Sequence, residues 1–147
     1  MKLKMKFRDV PGRVATGTYI LHSGIQKWSG DEERAAQVHG FASGAFPNLK
    51  QIPPTQFLKI LSVSEMALGV ALLSPVTSGP VAGAALCGFS GSLLALYWKT
   101  DALHEPGSPW PTQAGTAISK DVWMFGIGAG LVLGGLFSGG RRSKRKG

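Results

Sequence analysis

A carboxylate with apolar neighbours on both sides is the first residue that can do chemistry. Glu65 lies in the uncharged run that follows Lys59, eight residues in from Phe57. In a helix that places it about 12 Å from the nearer end of its stretch, at 1.5 Å per residue. His22 lies six residues before Trp28, about 9 Å deep by the same count. Two adjacent antiparallel helices would hold these groups at similar depth, and the spacing predicts a His22–Glu65 hydrogen bond or ion pair. A charged carboxylate in lipid costs several kcal/mol, so it must face other helices, find a partner or take up a proton. Such a pair has two uses. One is proton transfer or coordination of a quinone head group; the other is a polar contact that fixes helix register. Lys27 and Lys59 stand near the outer ends of the same two stretches. They either snorkel to the interface or make the potential around Glu65 positive.

Other chemistries lack their residues. Bis-His haem ligation needs two facing intramembrane histidines, and His39 and His104 fall in connections. Cys87 has no second thiol and reads as a small apolar residue. There is no P-loop, no dinucleotide fingerprint, no HExxH and no nucleophile elbow. No catalytic constellation and no metal site is expected, and no resident cofactor apart from the quinone already named.

The elements that must position Glu65 follow from charge and hydropathy. The chain has 147 residues, 44% hydrophobic and only 16% charged, against roughly 25% charged in an ordinary soluble domain. Four apolar stretches, at about 13–28, 57–75, 79–98 and 121–138, approach the ~20 residues that a helix needs to cross a bilayer. The expectation is an all-α integral membrane four-helix bundle over 13–138, with outer loops at 29–56 and 99–120. A cleaved signal peptide competes for the first stretch, but His22 interrupts its apolar run and no small-residue cleavage site follows Trp28.

The net charge of +8 resides in the tails. Five basic residues occupy positions 1–13 and five more occupy 139–147. An even number of spans puts both tails on one side, and positive charge marks that side as cytoplasmic. The 1–12 and 139–147 segments are therefore read as basic cytoplasmic tails that set topology and also meet anionic lipid; nucleic acid is not an expected partner. Trp28, Phe57, Tyr97, Trp98 and Trp123 all fall at the outer ends, as an aromatic belt.

Two features lie outside this frame. Ser29 and Glu32 have capping-box spacing, which predicts a helix from about Asp31 with Val38, Phe41, Ala42, Ala45 and Phe46 on one face. Gly126, Gly130 and Gly134 recur every fourth residue in the last stretch, and Ala84, Gly88 and Ser92 do so in the third. Such strips let another helix approach closely, either within the bundle or from another membrane subunit.

The pattern resembles the DoxX family of small four-span bacterial membrane proteins. Arg13, Gly17 and the run from Gly24 to Lys27 resemble that family's opening motif. The 41–46 segment, Pro53-Pro54, Glu65, Leu68-Gly69 and Ala71-Leu72 resemble its next signature. Ser23 stands where members often carry a histidine, and His22 comes one position earlier. The resemblance covers residues 10–138 and implies a multi-pass protein of the bacterial plasma membrane. It further implies an accessory or scaffolding subunit of a redox or respiratory complex that is not catalytic alone. Rival expectations are a quinone-linked oxidoreductase subunit using Glu65 and a small transporter.

Overall fold

The protein is described by a computed structural model covering residues 2–143, with side chains described through residue 138. Six α-helices follow one another: α1 Val10–Trp28, α2 Glu32–Ala45, α3 Pro54–Leu73, α4 Gly79–Lys99, α5 Thr116–Ser119 and α6 Asp121–Ser143. No strand occurs among the described residues; one isolated bridge joins His104 and Pro111. Prolines enter three of the long helices in their first turn, where a missing N–H costs nothing.

Among the described residues three segments are long and apolar enough to cross a membrane: Pro54–Leu73, Gly79–Lys99 and Thr116–Ser138. The expected first span is a 19-residue helix of adequate length, but Arg13, His22 and Lys27, together with Thr16, Thr18, Ser23 and Gln26, dilute its apolar character. The last helix continues past the expected 138 to Ser143. Of the expected C-terminal tail, Lys144, Arg145 and Lys146 lie outside the described residues.

The long helices form two antiparallel pairs, α1 with α3 and α4 with α6. Ile20, Leu68, Leu72, Ala82, Leu86 and Leu131 form the shared core, with Phe89, Met124 and Ile127 packed against it. All four long helices contribute to it. Between lipid-exposed helices apolar burial supplies little drive, so close approach must do the work. Glycine provides that approach in both seams. A Cβ on Gly69 would stand 2.8 Å from the Leu21 nitrogen and 2.9 Å from the Gly17 oxygen. One on Gly24 would meet the Ser62 carbonyl oxygen at 2.9 Å, and one on Gly83 the Gly128 oxygen at 2.5 Å.

The expected strip is turned the other way. A Cβ on Gly126 or Gly130 meets nothing within 4 Å, and one on Gly134 meets Arg8. The seam of α6 runs instead through Gly128 and Gly135, against Cys87 and Pro80. Gly126 and Gly128 are two residues apart, or about 200° around the helix, which is why one faces in and the other out. Gly69→Ala and Gly83→Ala are accordingly expected to destabilise the fold by about 1–3 kcal/mol through overpacking against backbone. Gly126→Ala and Gly130→Ala should stay within about 0.5 kcal/mol. Unfolding by a denaturing detergent titrated into neutral micelles measures both.

The connections at one end are ordered. Asp31, rather than Ser29, caps α2, its carboxylate accepting the Arg34 N–H at 2.9 Å. Ser29 and Gly30 are used up in closing α1, where the Gly30 N–H donates to the Lys27 carbonyl. Helix α2 lies against α3; its Ala35, Ser43 and Ala45 are buried, while Phe41 of the expected face stays exposed. In the second connection a Glu105-Pro106-Gly107-Ser108 turn has Gly107 at φ 67°, a conformation that suits glycine. The loop it closes buries Leu103 and receives the Tyr97 hydroxyl hydrogen bond at the Pro109 carbonyl.

Candidate functional site

Glu65 is 5% exposed, and its partner is Lys27: the ammonium stands 3.0 Å from the carboxylate. Lys27 also donates to the Ser23 hydroxyl at 2.6 Å. The expected His22–Glu65 pair is not formed. His22 lies on the exposed side of α1 and makes no hydrogen bond among the described residues. Ser23 and Lys27, one helical turn apart, share the face that meets α3, and His22 is rotated about 100° from it.

The direction of side chains explains why Lys27 reaches a group so far along the bundle. Side chains on a helix tilt toward its N-terminus. Lys27, at the C-terminal end of α1, therefore points back along its own helix toward Ser23 and Glu65. Lys59, near the N-terminus of α3, points outward by the same rule. Its ammonium donates to the Trp28 carbonyl at the end of α1 and lies 4.1 Å from the Trp28 ring centre, a cation–π contact. Of these two lysines, one reaches toward the helix ends and the other turns inward.

The opposite end carries the mirror of this arrangement. Arg13 is fully buried, and its guanidinium donates to the carbonyls of Leu72 at 2.8 Å, Thr77 at 2.9 Å, Ser74 at 2.9 Å and Ala71 at 3.0 Å. Those of Ala71 and Leu72 are left free where α3 ends, those of Ser74 and Thr77 belong to the turn that follows, and the end of a helix favours positive charge. Each helix of the α1–α3 pair thus lends a cation to the C-terminus of the other. Between the two ends, the Ser62 hydroxyl donates to the Gly24 carbonyl at 2.7 Å, which the absence of a side chain on Gly24 leaves accessible.

Asp121, at the start of α6, is about nine-tenths buried, and among the described residues Lys27 is paired with Glu65 alone. Chemically the Lys27–Glu65 pair can hold a proton or a polar head group, or it can lock α1 and α3 in register. Glu65 and Lys27 both stand out in the sequence, but a count of depth along the helices pairs Glu65 with His22 instead. The signal for Lys27 was present in the N-terminal tilt of helical side chains. No group of three metal-ligating side chains occurs among the described residues.

These features define an all-helical chain with three helices fit to cross a membrane, a large lipid-type apolar surface and buried inter-helix ion pairing. No family model, curated protein or solved structure matches the sequence.

Proposed function

We propose that the chain is a DoxX-like accessory and scaffolding subunit of a redox or respiratory complex in a bacterial plasma membrane. It sits there as a four-span bundle with both tails cytoplasmic. The observation that carries this reading is the surplus of small residues on outward faces. Gly83, Gly128 and Gly135 close the α4–α6 seam, yet Ala84, Gly88, Ser92, Gly126 and Gly130 are also small and lie exposed on the same two helices. Such surfaces suit close packing by helices of other subunits. The buried polar groups support it too, since Arg13, Lys27 and Ser62 all spend their donors on holding α1 to α3.

A native pull-down of the tagged chain from its own membranes in mild detergent tests the reading, with mass spectrometry and an absorption spectrum of the eluate. The expected result is a stoichiometric set of haem- or flavin-bearing subunits, with recovery reduced by Gly88→Leu or Gly130→Leu. A lone, colourless protein overturns it.

A quinone-linked oxidoreductase subunit is the second reading, and the nearly closed-off Lys27–Glu65 pair favours it. It requires quinone binding by the purified chain and loss of that binding in Glu65→Gln.

A further inference from the structure

The first eight residues alternate basic and apolar side chains: Lys2, Leu3, Lys4, Met5, Lys6, Phe7 and Arg8 follow Met1. This segment is tied to the helices rather than hanging free. The backbone N–H groups of Lys4 and Met5 donate to the Pro75 carbonyl in the α3–α4 turn. Arg8 donates to the Gly134 carbonyl at 2.5 Å and to the Ser138 hydroxyl at 3.3 Å. The strap is thereby fixed at the level where the apolar part of α6 gives out, ahead of the basic run that begins at Arg141.

Lys6 shares the Gly134 carbonyl with Arg8 through a long 3.4 Å hydrogen bond, and the side chains of Lys2, Leu3, Lys4 and Phe7 are free to meet something else. Lys2, Lys4 and Lys6 are exposed, and Phe7 and Leu3 are 93% and 77% exposed. A purely topological tail needs charge alone and gains nothing from presenting a phenyl ring and a leucine between its lysines. A surface with an apolar layer beneath an anionic one accepts both kinds of side chain at once. The boundary between acyl chains and phospholipid head groups is such a surface, and the strap is held at that depth.

We propose that residues 2–8 form a binding site for anionic phospholipid, with Lys2, Lys4 and Lys6 on the phosphates and Leu3 and Phe7 in the adjoining acyl region. The site rests on the membrane reading of the helices, and partner subunits play no part in it. Tied to α3, α4 and α6, a bound lipid joins both helix pairs at this end.

The test uses the full-length chain, delipidated in neutral detergent and titrated with phosphatidylglycerol or phosphatidylcholine. Lipids retained per protein are counted by native mass spectrometry. A lysine near an anionic surface contributes about fivefold in affinity, so three contribute on the order of 100-fold. Phosphatidylglycerol should be held tightly by the unaltered chain and lose that factor in the Lys2→Gln/Lys4→Gln/Lys6→Gln variant. Its retention should also fall as salt rises, a readout that needs no variant. Leu3→Ser/Phe7→Ser should weaken retention of the same lipid with all charges in place. Equal retention of the two lipids overturns the proposal, as does an undiminished triple variant. Competition by inorganic phosphate would make this a free-anion site, and displacement of the lipid by an oligonucleotide would make it a nucleic-acid surface; either overturns it. Because the purified chain is used alone, failure here leaves the accessory-subunit reading standing.

Discussion

Replacing Arg13 by methionine is expected to destabilise the fold by about 3–5 kcal/mol. The guanidinium donates to four carbonyls, those of Ala71, Leu72, Ser74 and Thr77. A hydrogen bond to a charged group contributes about 1.5–3 kcal/mol net, and an orphaned buried acceptor costs about 1–3 kcal/mol. Four oxygens lose this donor together, the Ser74 carbonyl keeps the Thr77 N–H, and water at the end of the helix recovers part of the loss. Arg13→Lys separates charge from geometry. An ammonium keeps the favourable interaction with the helix end but presents a point charge in place of a planar fork, so it should recover about half of the loss. Unfolding of the micelle-held protein by denaturing detergent gives both values. An Arg13→Met variant as stable as the parent would show that the four bonds contribute nothing net.

That prediction concerns a residue whose position was legible in the sequence and whose role was not. Arg13 was visible as a charge at the head of an apolar stretch and as part of a family-like opening motif. Nothing in its neighbours along the chain states that it caps a helix sixty residues away. The helices themselves were readable because length and apolar composition are local properties. Their boundaries moved by a few residues where prolines open a helix instead of ending a loop, as at Pro54. Pairing was less readable. A depth count from helix ends places Cα atoms alone. It ignores both rotation about the helix and the tilt of the side chain, and those two quantities selected Lys27. The glycine strips failed for a related reason. Spacing of four identifies a face, and α6 carries two glycine faces, so composition could not say which one the protein uses internally.

The Lys27–Glu65 pair yields the second large effect and the one that bears most directly on function. Both side chains are nearly closed off, at 15% and 6% exposure, so either single replacement strands a charge where water cannot reach it. Breaking a buried pair from one side costs about 3–5 kcal/mol. Glu65→Met and Lys27→Met are each expected to fall in that range, with Glu65→Met at the lower end because Lys27 keeps the Ser23 hydroxyl. The Lys27→Met/Glu65→Met double variant should recover most of the loss, since replacing both members of such a pair by apolar groups is often neutral or stabilising. The coupling energy from the four proteins is therefore expected to be strongly favourable. The same cycle run with His22→Ala in place of Lys27→Met should give a coupling near zero, because His22 is on the exposed side of α1. A large His22–Glu65 coupling would restore the depth-based pairing and require α1 to be rotated from the position described. If instead the double variant is stable and the pair is dispensable for folding, its retention needs a chemical reason. Quinone binding by the parent chain and its loss in the stable double variant would supply that reason. A stable double variant that still assembles with its partner subunits would leave the pair as a device for holding α1 in register against α3.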